Sequence, residues 1–155
     1  MGGQNFECSC DSCQGACRYR PGWFRPDEIE PAARLLGLTV DDFFHAKLAI
    51  DWWEADEDIF LLAPAIQGHD AGTEYPADPR GVCTFFKHGL CEIHAAKPFE
   101  CRALNHTDTD DDVEIRHRAT LDAWAPHQKM IEDLLGRKPE AVEFYGGSIL
   151  DMFFN

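Results

Sequence analysis

Positive charge is scarce in this chain: 14 lysines and arginines stand against 28 aspartates and glutamates, a formal net charge of −14. Such a surface repels phosphate backbones and anionic membranes, since each phosphate that is neutralised needs a Lys or Arg. No nucleic acid or membrane partner is therefore expected, and a metal ion or a basic protein remains compatible. Long apolar runs are missing too. No stretch reaches the ~18 apolar residues that a membrane helix requires. Residues 1–5 are short, uncharged and not followed by an apolar run, so no export signal is read and a cytoplasmic location is expected. There is no phosphate-cradling glycine loop and no serine-centred nucleophile motif. No catalytic residue is assigned on these grounds, and the reading leans away from an enzyme. Internal repeats, low-complexity tracts and long linkers are absent as well, which leaves a single domain over 1–155.

What is present suits a packed globule. Hydrophobic content of 45% and 12% aromatics argue against disorder, and 155 residues can bury a core without staples. Pro26-Asp27-Glu28 opens a helix, with proline and two carboxylates suited to its first turn. Ile29, Ala32, Ala33, Leu35 and Leu36 supply its apolar face, Pro31 bends or shortens it, and Gly37 stops it. Thr39 and Asp42 form a weakened capping box for a second helix, from Val40 to about Trp53, that buries Phe43, Phe44, Leu48 and Trp52. Residues 59–62 read as a strand ended by Pro64, residues 67–80 as a loop, and residues 82–86 as a second strand. The acidic run 107–112 reads as a solvated turn that favours a helix start. Leu121, Trp124, Ile131, Leu134 and Leu135 then recur at helical spacing up to Gly136, with Pro126 kinking or dividing the helix. The apolar tail, 141–154, docks on the core. The expected fold is α+β and mainly helical, with a few short strands and a helical C-terminal segment over 113–155, organised around a cysteine metal site.

Seven cysteines fall in two groups: Cys8, Cys10, Cys13 and Cys17, then Cys83, Cys91 and Cys101. An odd number cannot pair off completely, and thiolates suit tetrahedral zinc or an iron–sulfur cluster. Cys10 and Cys13 have the two-residue spacing of a tight knuckle, Cys17 lies four residues on, and Cys8 can swing in beside Cys10. The downstream spacings are wider, but a loop closing at Gly89 and a turn at Pro98 would gather the three sulfurs. Two such groups make sense when they meet on shared ions. Zinc is the favoured metal; iron, or a four-iron cluster with redox chemistry, is the alternative.

The second group resembles the CxxCxxCC proteins, the zinc- or iron-chelating domain of YkgJ type. Their C-terminal pattern is a cysteine with two or three apolar residues, then Cys-x-Ile-Tyr, then Arg-Pro-x-x-Cys-Arg. Cys83-Thr84-Phe85-Phe86 is similar to the first part. Cys91-Glu92-Ile93-His94 is similar to the second, with histidine for tyrosine, and Lys97-Pro98-Phe99-Glu100-Cys101-Arg102 to the third, with lysine for arginine. Their N-terminal pattern, Phe-x-Cys-x-x-Cys-Gly-x-Cys-Cys, is met by Cys10, Cys13 and Cys17, while Ala16 stands for the remaining cysteine and Cys8 is its candidate replacement. The resemblance spans residues 6–104. It implies a thiolate-bound zinc or iron site. A closed site of four sulfurs is structural by default, because catalysis needs an open coordination position, so a chiefly structural role is expected.

Other residues carry weaker signals. His88 and His94 flank Cys91 as candidate nitrogen ligands or packing histidines. His45, His69, His106, His117 and His127 are scattered and read as surface residues. Asp51-Trp52-Trp53-Glu54 reads either as an aromatic pocket wall or as one core indole beside a half-buried neighbour, the second being the plainer account. Asp108, Asp110, Asp111 and Asp112 lack the glycine and distal glutamate of a helix–loop–helix calcium site.

Overall fold

The computed structural model describes residues 22–53, 58–76, 80–88, 90–96, 98 and 109–141. The expected cysteine-rich loop over 6–19, Glu54, His106, Asp108 and the docking tail lie outside the described residues.

Two prolines shape the first helical segment. Pro26 begins a 3-10 turn, Pro26–Glu28, whose Arg25 amide donates to Glu28 Oε1 at 2.8 Å. Helix α1, Ile29–Leu35, follows directly, and Pro31 falls in its first turn, where the missing N–H has no intrahelical acceptor to lose. The proline thus sets where the helix starts and does not bend it. Helix α2, Val40–Lys47, is capped as expected, with Thr39 Oγ1 accepting from the Asp42 amide at 3.0 Å.

The expectation that α2 runs on to Trp53 fails at Leu48. There the backbone becomes extended (φ −114°, ψ 160°), and strand β1 occupies Leu48–Trp53. It pairs antiparallel with β2, Ile59–Pro64, in a register from Leu48 opposite Pro64 to Trp53 opposite Ile59. The spacing of Phe44, Leu48 and Trp52 mimics a helix face. Ile50, Trp52 and Trp53, however, are residues that favour a pleated surface, and the ladder to β2 decides between them. Trp53 is buried and Trp52 only half-buried, the reverse of a helical face through Trp52. The chain over 72–75 follows the other edge of β1 in parallel. Gly72 and Tyr75 donate to the Leu48 and Ile50 carbonyls at 2.7 and 2.8 Å, and Ile50 donates to Thr73 at 2.9 Å.

The expected strand over 82–86 is also revised. Cys83 makes a single antiparallel bridge with Ile66, the chain turns at Thr84-Phe85, and a short ladder joins β3, Phe86–Lys87, to β4, Leu90–Cys91.

Helix α3, Asp110–Trp124, starts from a full capping box. Thr109 Oγ1 accepts from the Asp112 amide at 3.1 Å, and Asp112 Oδ2 accepts from the Thr109 amide at 3.0 Å. The bond from the Thr109 amide first, and one from the Thr109 side chain second, hold the Asp112 carboxyl below its ordinary value. The described end of the acidic run, 109–112, is therefore a helix cap. Pro126 divides the helix, inserting a 3-10 turn, Ala125–His127, ahead of α4, Gln128–Leu135. Gly136 ends α4 with φ 84°, the left-handed conformation a glycine adopts without strain.

Both helices lie against β2. The Trp124 indole donates to the Phe24 carbonyl at 2.6 Å, and the Gln128 amide group both accepts from and donates to the Phe60 backbone at 2.9 Å. The core gathers Trp23, Phe24, Phe43, Phe44, Leu61, Leu62, Phe85, Trp124 and Ile131. Burying each such side chain contributes about 1.5–3 kcal/mol. The architecture is a mixed α+β fold with two small antiparallel sheets. No helix among the described residues is long and apolar enough to cross a membrane.

Candidate metal centre

Cys83 and Cys91 are the two candidate cysteine ligands within the described residues, and the fold places both on one module, with His88 exposed beside it. The Cys83 carbonyl accepts from the Phe86 amide at 3.0 Å, which closes a turn over 83–86. Phe86 in turn stands opposite Cys91 in the β3–β4 ladder. His88, just past β3, has φ 53°, a left-handed backbone suited to a tight turn. The loop closure expected at Gly89 falls on a residue outside the described ones. Cys83 is buried and Cys91 half-buried.

Three contacts fix this module to the body of the protein. The Gln67 side chain donates to the carbonyls of Cys83 and Phe86 at 3.0 and 2.8 Å, while its backbone amide donates to Val82 at 2.8 Å. Phe85 is buried and stacks on Phe43 with ring centroids 5.9 Å apart. Ile93, two residues past Cys91, is fully buried, and the Glu92 amide donates to the Phe85 carbonyl at 2.7 Å. Gln67 carries no motif, and sequence reasoning passed over it as part of a loop. Its role exists only because residues 67 and 83–86 meet.

The electrostatics of the module depart from the chain's acidic average. Lys47 and Lys87 each approach the Glu92 carboxylate at 3.7 Å, beside Cys91. Both lysines are thus engaged by one carboxylate, and the two cysteines of the module would supply half of a four-thiolate site. Cys8, Cys10, Cys13, Cys17 and Cys101 lie outside the described residues, and so does the meeting of the two groups. Among the described residues no set of three or more His, Cys, Asp or Glu side chains is grouped to hold a metal.

The other tempting residues resolve as follows. Asp51 is completely buried: its Oδ2 accepts from Trp23 Nε1 at 2.8 Å and its Oδ1 from the Trp52 amide at 2.8 Å. Trp53 packs edge-on against Trp23 at 5.8 Å, so one indole of the Trp52-Trp53 pair is core and its neighbour half-buried. His117, expected at the surface, is only 4% exposed and lies 4.6 Å from the Trp23 ring. It shares the buried face of α3 with Trp124, seven residues on, and the aromatic wall around Asp51 holds it there. His45, His69 and His127 are exposed.

No family model matches the chain, no curated protein matches it, and no solved structure does.

Proposed function

We propose that this protein is a cytoplasmic metal-binding module similar to the YkgJ-type zinc- or iron-chelating domains. Its ligands are drawn from Cys8, Cys10, Cys13, Cys17, Cys83, Cys91 and Cys101. The metal is zinc, and its role is chiefly structural. The supporting observation is the Cys83–Cys91 module, where a clamped turn and a short antiparallel ladder carry the two cysteines on a shared base. Rigid placement of ligands through their outer contacts is what a high-affinity site requires. A bound zinc ion would supply cross-linking free energy between the two cysteine groups without redox chemistry. In that arrangement Gln67 orients the Cys83 turn, and Phe85 and Ile93 exclude water from beneath it.

Elemental analysis of the untagged protein, purified without oxygen, tests this reading. One or two equivalents of zinc in a colourless sample support it. A brown sample with iron and acid-labile sulfide would instead make the chain an iron–sulfur redox protein or metalloenzyme on the same cysteines. Cys91→Ser is expected to lose metal and stability together, and full metal retention in that variant would remove Cys91 from the ligand set.

A further inference from the structure

Three buried phenylalanines form a column of rings through the core. Phe24 meets Phe43 edge-on with ring centroids 6.1 Å apart, and Phe43 stacks on Phe85 at 5.9 Å. The middle ring belongs to α2. Phe24 lies just ahead of the Pro26–Glu28 turn, and Phe85 lies in the turn closed by Cys83 and Phe86. Phe43 therefore joins the stretch that follows the first cysteine group to the turn that opens the second.

Sequence distance gives this junction its weight. Cys17 precedes Phe24 by seven positions and Cys83 precedes Phe85 by two, whereas 66 positions separate Cys17 from Cys83 along the chain. Both outer residues are also fixed by their backbones. The Phe24 amide donates to the Leu62 carbonyl at 3.0 Å, and the Phe24 carbonyl accepts from the Trp124 indole at 2.6 Å. The Phe85 carbonyl accepts from the Glu92 amide at 2.7 Å. The path through the rings thus replaces a long loop closure with two short tethers. Each halving of a loop raises the effective concentration of its ends about threefold.

Resting on the metal-binding reading above, we propose that Phe43 is the positioning residue that brings the two cysteine groups onto shared metal. It acts through Phe24 on the first group and through Phe85 on the second. A smaller side chain at 43 leaves a gap between the outer rings, and both tethers loosen together.

Cobalt(II) binding to the full reduced chain, followed by absorption, tests this role. The wild type is expected to show sulfur-to-metal charge transfer and tetrahedral d–d bands that zinc displaces. Phe43→Leu should weaken cobalt at least about tenfold and lower the charge-transfer intensity as thiolates are lost. Ile131→Val, a core change in α4 against β2, is the control: at a matched fall in melting temperature it should keep the wild-type affinity and spectrum. Ten Gly/Ser residues inserted between Pro21 and Gly22 lengthen one tether without altering the column, and should weaken cobalt about threefold. That insertion decides the matter if Phe43→Leu does not fold. Unchanged affinity in Phe43→Leu, an equal loss in the matched Ile131→Val control, or an insertion without effect would overturn the role of Phe43 and leave the metal reading standing. A wild type that binds neither cobalt nor zinc would overturn both.

Discussion

At the scale of single residues, the most consequential side chains are those whose partners lie far off in sequence. Glu74 accepts from both terminal nitrogens of Arg137, at 2.6 and 2.7 Å across 63 positions, and from the Glu140 amide at 2.9 Å. Its side chain is 11% exposed, and the Arg137 guanidinium, ahead of the backbone bonds, holds its carboxyl at about 2 against an ordinary 4.5. Because the folded value lies below the unfolded one, this pair's stabilisation is complete above about pH 4.5 and is lost as pH falls through about 2. Glu74→Gln should cost about 1–2 kcal/mol at pH 7, allowing for the half-exposed arginine. In urea titrations the gap between wild type and variant should close as pH drops from 5 toward 2. A gap that stays constant over that range would contradict the assignment. Gln67 is the second such residue. Gln67→Ala releases the carbonyls of Cys83 and Phe86, so metal affinity measured by chelator competition should fall roughly 10–100-fold, the usual consequence of losing a group that orients a ligand. Unchanged affinity would mean that the turn holds itself.

At the scale of elements, the local signals were legible where they act over three or four residues. Thr39 and Thr109 cap the helices expected after them, Pro126 divides the last helical run, and Gly136 ends it. Thr109→Ala should destabilise the protein by about 1 kcal/mol, seen as a lower urea midpoint, with Thr109→Ser recovering most of it. If serine fails to recover stability, the hydroxyl is not the capping group. The errors arose where local spacing and residue preference disagree. Leu48 and Trp52 are spaced as a helix face, yet Ile50, Trp52 and Trp53 favour a pleated surface, and only a pairing partner ten or so residues downstream distinguishes the two. Residues 82–86 failed as a strand for the opposite reason: the β-favouring Phe85 is committed to the core against Phe43, which forces a turn where a ladder was expected.

At the scale of the whole molecule, the proposed metal would join the two cysteine groups. Removing zinc with a strong chelator under reducing conditions should lower the melting temperature by at least about 5 °C and loosen the Cys83–Cys91 module first. A melting curve indifferent to chelation would leave the cysteines without a structural metal. From the sequence alone came the mixed α+β composition and the helix caps and stops. Each depends on residue chemistry acting within a turn or two of chain. Only the tertiary structure decided that residues 48–53 are a strand, that His117 is buried against Trp23, and that Gln67 and Glu74 anchor distant segments. Those outcomes depend on which surfaces meet across the core, and no short window of residues encodes its own partner.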